Sequence, residues 1–248
     1  MVLHITLVAE KIGNLWGLPV TNALFTTWIT MGVLFLASLF ITRKLSLIPS
    51  HGQSIAELVV GGLHDFFRTV VGTHIGRFFP LVASLFLFIL AVNWIGLLPG
   101  VGTVGFFRVE HGRETFIPLL RAGTADLNTT LALALTAVMA IQFYGLALGG
   151  RRYLSKFINF TSPLMFGLGI LELVSEFSRI VSFAFRLFGN IFAGEVLLTV
   201  LAFLVPFVVP IPFLALELFV GLIQALVFSM LTAVFLNGAV THVEKAHQ

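Results

Sequence analysis

From Ser162 to Val205 the chain runs without a polar loop and with no proline except Pro163. As a single α-helix at 1.5 Å per residue this stretch is ~60 Å long, about twice the hydrocarbon thickness of a bilayer. Such a helix either breaks or lies strongly tilted. Near its middle stands FAFRLFGNIFAGEVL, residues 183–197, which sets Arg186, Asn190 and Glu195 among apolar neighbours. A guanidinium keeps its charge wherever the chain puts it. At mid-membrane that charge costs a few kcal/mol on insertion scales, so its presence calls for a use.

The membrane reading rests on the whole composition. Of 248 residues, 58% are hydrophobic and 10% charged, whereas soluble domains carry about a quarter charged residues. This places the chain among polytopic helical membrane proteins. The formal charge of +3 gives no basic patch for nucleic acid, and with no Cys there are no disulfides, thiolate metal sites or cysteine nucleophiles. The N-terminus lacks a basic segment followed by a clean apolar one, so no cleaved signal peptide is expected.

In order, the sequence predicts an all-α membrane protein, one domain over 1–248, with about five membrane helices. Residues 1–22 form a tail and 23–41 a first span stopped by Arg43 and Lys44. Residues 54–72 differ, with Ile55, Leu58, Val59, Leu63, Phe66, Phe67, Val70 and Val71 at one-face helical spacing opposite Glu57, His64, Asp65 and Arg68. Too polar to span, they read as an amphipathic helix in the membrane interface. Residues 80–98 form the next span. The loop to Thr124 contains Gly100, Gly102 and Gly105 in GxGxxG spacing. That fingerprint has meaning only between a strand and a helix, so here it reads as a turn.

Residues 127–148 form a third span, begun by Asp126 and Asn128 as helix caps and closed by Arg151, Arg152 and Lys156. Gly145 and Gly149 make a GxxxG, a signal for close helix packing. Residues 162–205 and 213–239 are two long helices joined at a Pro206–Pro212 turn, a tilted hairpin. Basic residues crowding the ends of the first and third spans set those ends on the cytoplasmic side. The N-terminus is then outside and the C-terminus inside.

Glu172, Glu176, Arg179, Arg186 and Asn190 fall within about ±40° of one direction on a helical wheel, while Glu195 lies about 180° from Arg186. The midpoint between Arg186 and Gln224 is Val205, and that between Glu195 and Glu217 is Pro206. An antiparallel hairpin turning there sets both pairs level. Arg179 suits an internal ion pair with Glu172 or Glu176. Arg186 does not reach a polar end of its helix, and it stands between carboxylates ~14 Å and ~21 Å away along the axis. This is the pattern of two ion half-paths that do not connect.

The segments RLFGNIFAGE, LELVSEFSRIVSFAF, ADLNTTLALAL and QALVFSMLTAVFL resemble the a subunit of F-type ATP synthases, over essentially the whole chain and in its bacterial and chloroplast form. The resemblance implies a stator subunit that is not itself catalytic, packed against a rotating ring of c subunits and held by peripheral-stalk b subunits, with no cofactor or metal. It implies residence in a bacterial inner membrane, or as second choice a thylakoid membrane. Arg186 matches the family's essential arginine, and Asn190, Glu195 and Gln224 match channel positions. Glu172 matches an acid of the cytoplasmic half-channel, and Asp126 and Asn128 match the helix start near the outer one. Glu217 stands where some relatives have histidine, so a Glu–His relay does not transfer to this chain. A sodium-coupled form of the same subunit is an alternative set by the partner ring. A secondary ion transporter, the rival class, is expected to show repeated halves, and no internal repeat occurs. The tail histidines His242 and His247 lie ~140° apart on a helix and do not form a zinc motif.

Overall fold

The structure is a computed structural model that describes residues 8–15, 17–43, 46, 49–110, 113–155, 157, 162–205 and 208–244. Lys44, Lys156, Pro206 and His247, named above, lie outside the described residues. Strands β1 (Lys11–Leu15) and β2 (Leu18–Thr21) form an antiparallel hairpin. Helices α1 (Asn22–Thr42) and α2 (His51–Val71) follow, then a 3₁₀ turn at Gly72–His74 and α3 (Ile75–Gly96). Next come β3 (Pro99–Gly102), β4 (Gly105–Glu110), β5 (Arg113–Pro118), a second 3₁₀ turn at Gly123–Ala125, and α4 (Leu127–Ser155). The long helices α5 (Pro163–Leu204) and α6 (Pro210–Glu244) close the chain. Among the described residues five helical stretches are long and apolar enough to cross a membrane, so the protein is an all-α polytopic membrane protein, with two small hairpins among those residues.

Helix starts follow local chemistry. Thr21, Ser50 and Ser162 each use a side-chain oxygen to accept a hydrogen bond from the backbone three residues on, satisfying one otherwise orphaned N–H. Pro163 adds a preset φ at the first position of α5. α2 therefore begins at His51, ahead of the expected residue 54, because Ser50 caps it there. Its apolar residues divide: Phe67 and Val71 are buried in the core, while Ile55, Leu58 and Val59 stay exposed.

Of the GxGxxG run, Gly100 and Gly102 lie in β3 at positive φ and Gly105 opens β4, so the chain turns between them at Thr103 and Val104. The segment beyond is not a plain loop, because β4 and β5 pair from Gly105–Pro118 to Glu110–Arg113. The N-terminal tail is likewise partly folded as β1 and β2. At Gly150, φ is 52° and ψ −137°, so α4 kinks. Its last residues fold back, and Tyr153 lies against Gly145, where an added Cβ would strike its ring. The close approach signalled by Gly145 is thus made by the helix's own returning end.

The core lies between α3, α4, α5 and α6, with Phe78, Ile89, Ile141, Leu187 and Leu236 almost wholly buried. Polar bonds lock these helices where apolar contact with lipid would do equally well. Asn93 donates through Nδ2 to the Gly221 carbonyl (3.0 Å) and accepts from Thr124 Oγ1 (2.6 Å), while Trp94 Nε1 donates to the Leu218 carbonyl (3.1 Å). Between α5 and α6, the Phe183 and Phe228 rings pack at 4.9 Å and the Glu217 carboxylate lies against Gly194. Both contacts have their midpoint between residues 205 and 206. That register sets Gln224 across from Leu187 and Glu217 across from Gly194, one residue from the partners expected above.

Candidate functional site

On α5, the i, i+3, i+4 spacing of Phe183, Ala184, Leu187, Phe188, Ile191 and Gly194 makes a buried face. The opposite face carries Ser182, Phe185, Arg186, Gly189, Asn190 and Ala193, all exposed. Arg186 Nη2 donates to Ser182 Oγ at 3.2 Å. Among the described residues no carboxylate pairs with it. Small side chains at 182, 189 and 193 keep the surface around the guanidinium low. A cation on an exposed helix face, with no carboxylate partner among the described residues, is complementary to an acid brought by another molecule.

Toward the N-terminal end of α5 the polar stripe turns inward. Glu176 is buried, and Arg179 Nη1 donates to both its carboxylate oxygens at 2.8 and 2.7 Å. The same guanidinium sits 3.8 Å from the centre of the Phe235 ring of α6, a stacked cation–π contact. The stripe therefore straddles the boundary between faces, with Glu176 and Arg179 facing in and Arg186 and Asn190 facing out. Glu172 is half-buried one turn earlier. The phenol of Tyr153 donates to Gln142 Oε1 at 2.8 Å. Burial first, then the charge of Glu176, pushes that phenol up to about 12, with Arg179 working the other way.

Toward the C-terminal end of α5, Glu195 pairs with Arg121, whose Nε lies 3.0 and 3.2 Å from its two oxygens. Glu217 reaches the same place from α6. Together with Asn93 and Thr199 these residues line a cavity of about 310 Å³. Gln224 is half-buried on α6 and makes no hydrogen bond to Arg186. Asp126 is buried, and its Oδ1 accepts from the backbone N–H (3.1 Å) and Nδ2 (3.2 Å) of Asn128, so the pair caps α4 as its sequence position suggests.

Sequence reasoning misses Arg121, Asn93 and Tyr153. Arg121 reads as one of several loop charges because nothing local distinguishes it from Arg108 or Arg113. Only the fold carries it to Glu195, 74 residues on. The one local hint is its place just before the ADLN segment, which fixes the start of α4.

The arrangement is one exposed arginine with an Arg–Glu pair on either side of it along α5, each pair beside a further acid. A protein-family model described as ATP synthase A chain matches residues 24–237.

Proposed function

The chain belongs to the ATP synthase A chain family, the proton-translocating membrane subunit of ATP synthase, and from that premise we propose how its residues move the proton. Two aqueous half-paths reach the exposed face of α5 from opposite sides of the membrane. The cytoplasmic one uses Glu172, with Glu176 and Arg179 beside it. The outer one uses the cavity holding Glu195 and Glu217, with Asp126, Asn128, Asn190 and Gln224 along its course. Arg186 lies between them and faces the carboxylates of a rotating ring of c subunits. Peripheral-stalk subunits hold this chain still, and ATP chemistry belongs to other subunits of the complex. The 1–248 membrane domain sits in a bacterial inner membrane with its N-terminus outside and its C-terminus in the cytoplasm.

A ring carboxylate crosses lipid only when protonated, because a bare charge there is too costly. Opposite Arg186 the carboxylate form is favoured by the neighbouring positive charge. The acid therefore releases its proton into one half-path and must be reloaded from the other before it re-enters lipid. A proton attempting the direct route meets the fixed guanidinium. Each proton descending the gradient delivers about 2.3 kcal/mol per 100 mV.

The observation that carries this reading is the exposure of Arg186, with no carboxylate paired to it among the described residues, between acids buried on either side. Arg186→Ala in the reconstituted complex is expected to abolish ATP-driven proton pumping while ring and stalk still assemble. Pumping at near wild-type rate would overturn the reading.

A further inference from the structure

Strands β4 and β5 make a ribbon with two unlike faces. Directly paired residues of an antiparallel ribbon point to the same side, and successive residues point to opposite sides. Phe106 and Ile117 are one such pair and turn toward the protein, Ile117 being 6% exposed. Phe107 and Phe116, the next pair, turn away from it and are 71% and 38% exposed. Their rings meet edge to face with centroids 5.3 Å apart. Gly105 stands on the same side, where a Cβ would strike the Phe116 ring, so the aromatic pair is seated against the ribbon. Val104, at the base, is exposed as well.

The depth of this pair follows from where the ribbon is rooted. The Pro118 carbonyl accepts from Asn22 Nδ2 at 3.3 Å, and the Val104 carbonyl accepts from the Leu119 N–H at 2.9 Å. Asn22 is the first residue of α1, whose 21 residues span ~32 Å, close to the hydrocarbon thickness of a bilayer. The root therefore lies at the edge of the hydrocarbon layer. At ~3.4 Å per residue Phe116 is ~7 Å from Pro118, and the polar interfacial layer on each side of a bilayer is itself ~5–8 Å deep. Whichever way the ribbon tilts, its aromatic pair stays in or beside that layer. Gly123 packs against both Ala23 and Val92, which sets the start of α1 level with the end of α3. There Phe25, Trp28 and Ile29 of α1 and Trp94 of α3 are exposed too, so the pair extends an apolar surface that the spans already turn to lipid.

We propose that the outward face of the β4–β5 ribbon is a lipid-binding surface, with Phe107 and Phe116 inserted side by side at the boundary between headgroups and acyl chains. Aromatic and aliphatic side chains are favoured at that boundary. The side chains of Val104, Phe107 and Phe116 offer only carbon, which suits fluid acyl chains and gives a protein partner nothing directional to recognise. The consequence for the chain is mechanical. Strand β5 runs through Leu119 and Leu120 into Arg121, so the depth at which the rings insert fixes the segment that holds Glu195. The inference holds for either orientation of the chain and does not depend on the proton route.

The test uses the whole complex reconstituted in vesicles of phosphatidylcholine and phosphatidylglycerol, with a fluorescent NBD group on Phe107→Cys or Phe116→Cys. This chain has no cysteine of its own, and the complex with the wild-type chain gives the background. Phe35→Cys, exposed near the middle of α1, is the deep reference. The label at 107 or 116 is expected to be quenched at least about twofold more by lipid with a doxyl group near its headgroup than by lipid with one at mid-chain, the order reversing at 35. Aqueous iodide should quench it weakly. A benzophenone at 107 is expected to attach to lipid and to no other subunit. Where the Phe107→Cys complex fails to assemble, Val104→Cys gives the same reading. Strong quenching by iodide with no effect of doxyl lipid places this face in water and overturns the proposal. A benzophenone cross-link to another subunit makes it a protein interface and overturns the proposal as well.

Discussion

At the scale of single residues, each intramembrane charge is distinguished by its partner rather than by its type. Arg121 and Arg179 each engage a glutamate of this chain, and among the described residues Arg186 engages a serine hydroxyl and no carboxylate. Tyr153 belongs to the inner group, beyond the kink at Gly150, and its neutral form is the favoured one. A phenol pushed up to about 12 from an ordinary value near 10 binds its proton more tightly folded than unfolded. Its contribution to stability is therefore complete below pH 10 and lost as pH rises through about 12. The difference in tyrosinate absorbance between the wild type and Tyr153→Phe should rise well above pH 10. A difference that rises near pH 10 would contradict the buried placement. These roles were only partly legible beforehand. The arginine–glutamate pairing at 176 and 179 could be read from helical spacing, but the pairing at 121 and 195 needed the fold.

Among the elements, the hairpin of α5 and α6 is what brings acids from two helices into one cavity. The positions of its polar residues predict a turn at 205–206, and the Phe183–Phe228 and Gly194–Glu217 contacts centre between those residues. Helices were legible because apolar runs, hydroxyl caps and prolines act locally. Strands β4 and β5 were not, because GFFRVE and RETFIP mix charge with aromatic residues and show no clean alternation. The returning end of α4 was hidden for another reason: Arg151 and Arg152 read as the close of the span, and nothing nearby says that Tyr153 comes back to Gly145. The register itself can be checked without background thiols, since the chain has no Cys. Phe183→Cys/Phe228→Cys should cross-link with a short bifunctional reagent. Phe183→Cys paired with Cys at 224 or 232, one helical turn away, should do so poorly. Equal yields from all three pairs would refute the register.

For the molecule as a whole, α5 is the frame on which everything is mounted. One unbroken helix of 42 residues carries Glu172, Glu176, Arg179, Arg186, Asn190 and Glu195. Their separations are set by helix geometry alone, and loops contribute nothing to them. Substitution along such a helix changes chemistry at one point, but a change of length changes phase everywhere downstream. One alanine inserted between Asn190 and Ile191 would turn Glu195 by about 100° relative to Arg186 and carry it out of reach of Arg121. The same insertion between Val208 and Val209, in the turn between the long helices, leaves every such angle within α5 intact. The first insertion is expected to abolish ATP-driven pumping and the second to leave measurable activity; equal loss from both would contradict the phase argument. Lineages carrying this chain are thus free to vary the length of its turns, while α5 behaves as a ruler whose divisions cannot be added to or removed.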